Sequence, residues 1–145
     1  MIKALKEIFS KGADSSGPDA LHLADSILLL EVATADFKLS DSESDLLKSR
    51  LSQRFGLDAG LLDELVDEAM RQHDVAVSLH DQIAIINERF EPDQKRLLIR
   101  DMWSLAYADG ELHHYEEAVI RRLADLLYIP HSEFIKAKHQ VTGQP

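Results

Sequence analysis

The sequence predicts an all-α fold: a single-domain helical bundle of seven to eight helices, with two central buried helices and an internal two-fold repeat. Three observations point there. Apolar residues recur with a period of about 3.6 in almost every segment, and no segment sustains the alternation of a strand. Gly and Pro together make up 10 of 145 residues, about half the usual share, so the elements are long and the turns few. One eleven-residue stretch recurs 73 residues further along.

Residues 1–17 form the first unit. Ile2, Leu5, Ile8 and Phe9 fall on one stripe of an amphipathic helix flanked by Lys3, Lys6 and Lys11, and GADSSGP at 12–18 reads as a loop. The helix over residues 1–11 could lie on a membrane or in a partner groove. Its expected place is back on the bundle, because residues 1–14 carry a net charge of only +1 and a short amphipathic helix normally buries its own stripe.

The main domain is predicted over residues 18–140. Its first helix runs from Pro18 or Asp19 to about Asp36. Leu21, Leu23, Ala24, Ile27, Leu28, Leu30, Val32 and Ala33 surround most of its axis, which marks a helix buried at the centre of a bundle. Ser40 and Glu43 match a capping box that opens the next helix. That helix buries Leu46, Leu47, Leu51 and Phe55 and stops at Gly56. A helix from Asp58 to Gln72 carries Leu61, Leu62, Leu65, Val66 and Met70. Ser78 and Asp81 suggest a second capping box, for a helix ending near Phe90. Pro92 suits the first turn of the second central helix, which contains Leu97, Leu98, Ile99, Met102, Trp103, Leu105 and Ala106 and runs to Asp109, with Gly110 as its stop. Helices at about 115–127 and 132–140 complete the domain, and residues 141–145 are expected to fray.

The repeat pairs residues 33–43 with residues 106–116 without gaps, and 5 of the 11 pairs are identical. Each copy follows a largely apolar helix and precedes an amphipathic one, which argues for an internal duplication. The repeated residues have an ordinary structural reading. Asp36 and Asp109 can accept from backbone amides in the turn, Leu39 and Leu112 can staple it, and Glu43 and Glu116 stand at the third position of a helix, where a carboxylate caps. A sharper reading makes Asp36, Glu43, Asp109 and Glu116 the oxygen ligands of a divalent cation such as Ca²⁺. The spacing lacks the alternating ligands of an EF-hand, and turn carboxylates usually cap or face solvent, so capping is the expected role.

Charge and composition narrow the function classes. With 26 acidic and 16 basic residues the net charge is −10, which argues against a nucleic-acid partner. The absence of Cys removes disulfides, thiolate metal sites and thiol catalysis. No long apolar run or leader is evident, so a cytoplasmic protein is expected. No nucleophile motif or phosphate-cradling loop occurs, and no catalytic residues are assigned: the chain reads as a non-enzyme.

Five acidic residues, Asp58, Asp63, Glu64, Asp67 and Glu68, gather within eleven positions that hold no Lys or Arg. The 63/67 and 64/68 pairs place like charges one helical turn apart, which is mildly unfavourable for the helix. They read as a solvated face or as a docking surface for a protein partner. His113 and His114 lack metal-binding spacing and read as a helix start, and the remaining histidines form no constellation. Trp103 and Tyr107 read as core. Arg96 and Arg100 are expected to pair with nearby acids.

The A-x-A-D-G-x-L-x-x-x-E pattern at 106–116 resembles the signature of the TerB-like (tellurite resistance protein B) family, with 33–43 as a degenerate first copy and LLYIP at 126–130 inside the matching span. The resemblance implies an all-helical bundle, a role in bacterial tellurite or related stress responses, and a metal on Asp36, Glu43, Asp109 and Glu116. Related domains accompany J-domains, but no His-Pro-Asp tripeptide occurs here. Phe37 stands where the second copy has Gly110, so the two turns differ in the backbone they tolerate. The expected function is therefore a non-enzymatic protein-interaction module in a bacterial stress-response system. The alternative is a metal-binding or metal-responsive protein using the carboxylates of the two repeated turns.

Overall fold

Seven helices and no strand occur among the described residues of a computed structural model, which comprise 18–35, 39–75, 78–108, 110 and 114–143. The amphipathic segment at 1–11 lies outside them, as do Asp36, Phe37, Asp109, Leu112 and His113. The helices are α1 (Pro18–Ala33), α2 (Asp41–Phe55), α3 (Ala59–Val75), α4 (His80–Arg89), α5 (Pro92–Ala106), α6 (His114–Leu126) and α7 (His131–Thr142).

The all-round apolar character of α1 has the consequence expected of it. From Leu23 to Leu30 every residue is buried, as are Val32 and Ala33, and the helix packs against α2, α3, α4, α5 and α6. The other central helix, α5, buries Leu98, Ile99 and all of 101–106, and lies against α1, α2, α6 and α7. One contiguous core runs through both. Trp103 is fully buried, and its indole Nε1 donates to the Phe134 carbonyl at 3.2 Å, which satisfies the only polar atom of the side chain.

Local chemistry sets the helix ends. Ser40 Oγ accepts from the Glu43 amide at 3.1 Å while Glu43 Oε1 accepts from the Ser40 amide at 3.2 Å, the reciprocal box anticipated for α2. Gly56 ends that helix at φ +64, in the left-handed region. Ahead of α3, Asp58 Oδ1 accepts from the Leu61 amide at 2.9 Å. The anticipated box at Ser78 and Asp81 does not form. The helix starts at His80, its cap residue is Leu79, and no side chain caps it.

The two central helices stop three residues earlier than the sequence pattern suggested, at Ala33 and Ala106. The Ala35 amide turns back to the Val32 carbonyl at 3.2 Å and the Ala108 amide to the Leu105 carbonyl at 3.3 Å, tightening the chain out of the α-helical ladder. These bonds sit at the same 73-residue offset as the sequence repeat, and so do the starts of α2 and α6. At the other end the fraying expected from 141 does not occur at Val141 and Thr142, which continue α7 until Gly143 closes it at φ +72; residues 144 and 145 lie outside the described residues.

The exit from α6 contains the one non-glycine residue with positive φ among the described residues, Tyr128 at φ +57. Its amide bonds the Asp125 carbonyl at 3.1 Å, and the Ile129 amide reaches the Ala124 carbonyl at 2.9 Å. That is a Schellman cap with tyrosine where glycine is usual. It holds the Tyr128 side chain outward, 79% exposed.

Candidate functional site

The four repeat carboxylates divide by what the structure describes. Glu43 and Glu116 stand in the first turns of α2 and α6 and are buried, at 8% and 3% exposure. Glu43 is engaged in the capping box and also accepts from Ser40 Oγ at 2.9 Å. Asp36 and Asp109 lie outside the described residues. Among the described residues no three His, Asp or Glu side chains come together as a metal-holding group.

The acidic stretch on α3 is split by the helical period. Asp58, Asp63 and Asp67 are exposed, while Glu64 and Glu68 turn inward and are buried. Asp63 pairs with Lys48 of α2 at 3.3 Å. Glu68 accepts from Arg71 and from Gln72 Nε2, the latter at 2.9 Å. The outward carboxylates therefore form a narrower strip than the five sequence positions suggested, because residues one apart on a helix face different ways.

A buried ion-pair cluster ties the two central helices together, and the sequence reading did not find it. Arg54, at the end of α2, donates Nη1 and Nη2 to Asp25 of α1, both at 2.7 Å, and Nε to Asp101 of α5 at 2.5 Å. Both aspartates are 0% exposed and the Arg54 side chain 8%. The planar guanidinium can bridge two carboxylates in this way because its donors form a fixed fork. Arg50 approaches from one turn earlier, its Nε 3.9 Å from Asp101 Oδ1. Burial pushes the Asp101 carboxyl above its ordinary range against the pull of Arg54, while Asp25 and Asp101 hold the Arg54 charge more firmly despite its desolvation. The available signal was Asp25 itself, an ionisable residue in a helix apolar on every side, where only a paired charge can be accommodated.

A groove of about 620 Å³ is lined by residues that include Glu31, His73, His80, Ile83 and Arg122. At its rim His73 Nε2 lies 2.9 Å from Glu31 Oε1, and Arg122 Nη2 donates to Glu31 Oε2 at 3.0 Å. The His73 hydrogen bond is the main reason that the Glu31 carboxyl lies below its ordinary value. His73 looked isolated in the sequence because its partner is 42 residues away.

The opposite charge collects along the outward side of α5. Arg96, as anticipated, pairs with acids: Asp93 one turn before it and Glu133 of α7 at 3.3 Å. Arg100 does not. Its Nε is shielded from solvent and has no hydrogen-bond partner among the described residues.

No described helix is long and apolar enough to cross a membrane. The molecule is thus an all-helical domain built on two buried axial helices cross-linked by a charge cluster. A family model described as tellurite resistance protein TerB matches residues 22–139, and the chain belongs to that family. No curated protein and no solved structure matches the chain.

Proposed function

We propose that this chain is a non-enzymatic, cytoplasmic binding module of a tellurite-resistance-like stress system, and that it docks a basic protein partner through the outer face of α3. The supporting observation is the exposed pair Asp63 and Asp67, like charges one turn apart, of which Asp63 meets Lys48 of α2 and Asp67 meets no cation among the described residues. A helix that needed only solubility would gain from a basic residue at position 67, one turn from Asp63. Charge complementarity of this kind sets the association rate and selects against wrong partners more than it deepens affinity. The test is affinity capture from the native cytoplasm at low and high salt, with wild type beside Asp63→Asn/Asp67→Asn. A partner held by wild type, and released both by salt and by the double substitution, supports the reading. A partner indifferent to both overturns it.

A second reading is favoured by the matched burial of Glu43 and Glu116 at the same helical position. In it, the carboxylates of the two repeated turns, Asp36, Glu43, Asp109 and Glu116, hold a divalent cation such as Ca²⁺. A cation that binds only the folded state raises the melting temperature by mass action. Titrating Ca²⁺, Mg²⁺ and Zn²⁺ therefore tests it. A rise abolished by Asp109→Ala supports the cation site, and a flat response to all three removes it.

A further inference from the structure

The outward stripe of α5 separates two grooves that share Leu97 and Arg100. One, about 400 Å³, lies towards α2 and is lined in part by Gln53, Arg54 and Phe55. The other, about 300 Å³, lies towards α7 and is lined in part by Arg96, Lys136 and Ala137. In a chain of net charge −10, the charged residues lining the two grooves carry one more positive than negative charge. Two of the four cations there are committed. Arg54 is held by Asp25 and Asp101, and Arg96 by Asp93 and Glu133.

Arg100 and Lys136 are the exceptions. Neither has an ion-pair or hydrogen-bond partner for its charged group among the described residues. Arg100 is half-buried, with Nε shielded from solvent, whereas Lys136 is exposed. A guanidinium stripped of part of its hydration and left without a direct ion pair is unfavourable by itself, even with Asp93 and Glu133 lining the same groove, and it gains most from a charge-assisted, two-pronged hydrogen bond to an oxyanion. Leu97, 38% exposed, supplies an apolar patch beside it.

The geometry points to an oxyanion-binding site centred on Arg100. It takes a carboxylate or phosphate group between Arg100 and Lys136, with the apolar part of the ligand over Leu97. This site is independent of the acidic face of α3 and of any cation at the repeated turns.

The experiment is an NMR titration of the intact chain, following the arginine side-chain Nε–H signals, with inorganic phosphate, acetate and hexanoate as separate probes. The site predicts a saturable shift of the Arg100 signal in the millimolar range with at least one probe. Phosphate acting alone assigns a phosphate ligand, and hexanoate surpassing acetate assigns a carboxylate on an apolar body. Lys136→Gln should weaken the binding about tenfold, the loss expected for one charge-assisted contact. With Arg100→Gln, backbone spectra confirm the fold, and the saturable shifts of neighbouring Leu97 and Lys136 amides should vanish. Three results overturn the proposal: no saturation with any probe, binding retained in Arg100→Gln, or equal shifts at exposed arginines such as Arg121, which mark an ionic-strength effect only.

Discussion

Arg54 is the residue on which the arrangement of the two central helices turns. Removing its charge leaves Asp25 buried with no counter-ion and Asp101 with only the more distant Arg50. Arg54→Met should therefore destabilise the protein by about 3–5 kcal/mol, measured by urea denaturation. The triple change Asp25→Leu/Arg54→Met/Asp101→Leu should recover much of that loss, since apolar replacement removes the uncompensated charges as well. A fully additive triple would show that the cluster is not a coupled unit. Glu31 gives a pH-dependent counterpart. Its carboxyl lies below the ordinary value of 4.5, chiefly through the His73 hydrogen bond. A depressed carboxyl contributes stability that is present above its unfolded value and disappears as pH falls through its folded value. Glu31→Gln should lower the melting temperature at neutral pH and flatten its decline below pH 4.5. Neither residue was legible as a site beforehand, because ion pairs that join positions 29 or 42 apart leave no local pattern.

Helices and their ends were the most legible part of the molecule, because capping chemistry and apolar period are both local. The Ser40–Glu43 box, the Gly56 stop and the Pro92 start were readable from single residues. The ends of α1 and α5 were not: Ala-x-Ala-Asp is compatible with helix, and only the tightened bonds at Ala35 and Ala108 show where the ladder stops. Tyr128 was equally hidden, since nothing in a tyrosine announces positive φ. Two glycines near the α2–α3 turn provide a test at this scale. Gly56 needs φ +64, and a Cβ there would meet nothing within 4 Å. Gly56→Ala should thus cost about 1 kcal/mol from backbone strain alone. Gly60 lies within α3, where an added Cβ would make only an ordinary 3.6 Å contact with Asp58. Gly60→Ala should stabilise by about 0.4–1 kcal/mol through the unfolded chain. Thermal melts of the two variants should move in opposite directions, and a shared direction would contradict the backbone assignment.

For the molecule as a whole, the sequence supported the class, the two buried axes and the family, while the surfaces needed coordinates. A run of five acidic letters separates into an outward strip and two buried glutamates only once α3 is placed against its neighbours. Arg96 and Arg100, which look alike one turn apart, differ because Glu133 of α7 meets only the first. The two axial helices are held together by buried charge, and the exposed carboxylates of α3 stand outside the core. Substitutions on the outer face of α3 should therefore alter function with little change in stability. The most direct test is tellurite tolerance in a host strain deleted for this chain and complemented with wild type or Asp63→Asn/Asp67→Asn. With melting temperature unchanged, the double variant should fail to restore the tolerance that wild type restores; full complementation by the variant, or a deletion with no phenotype, would contradict the account.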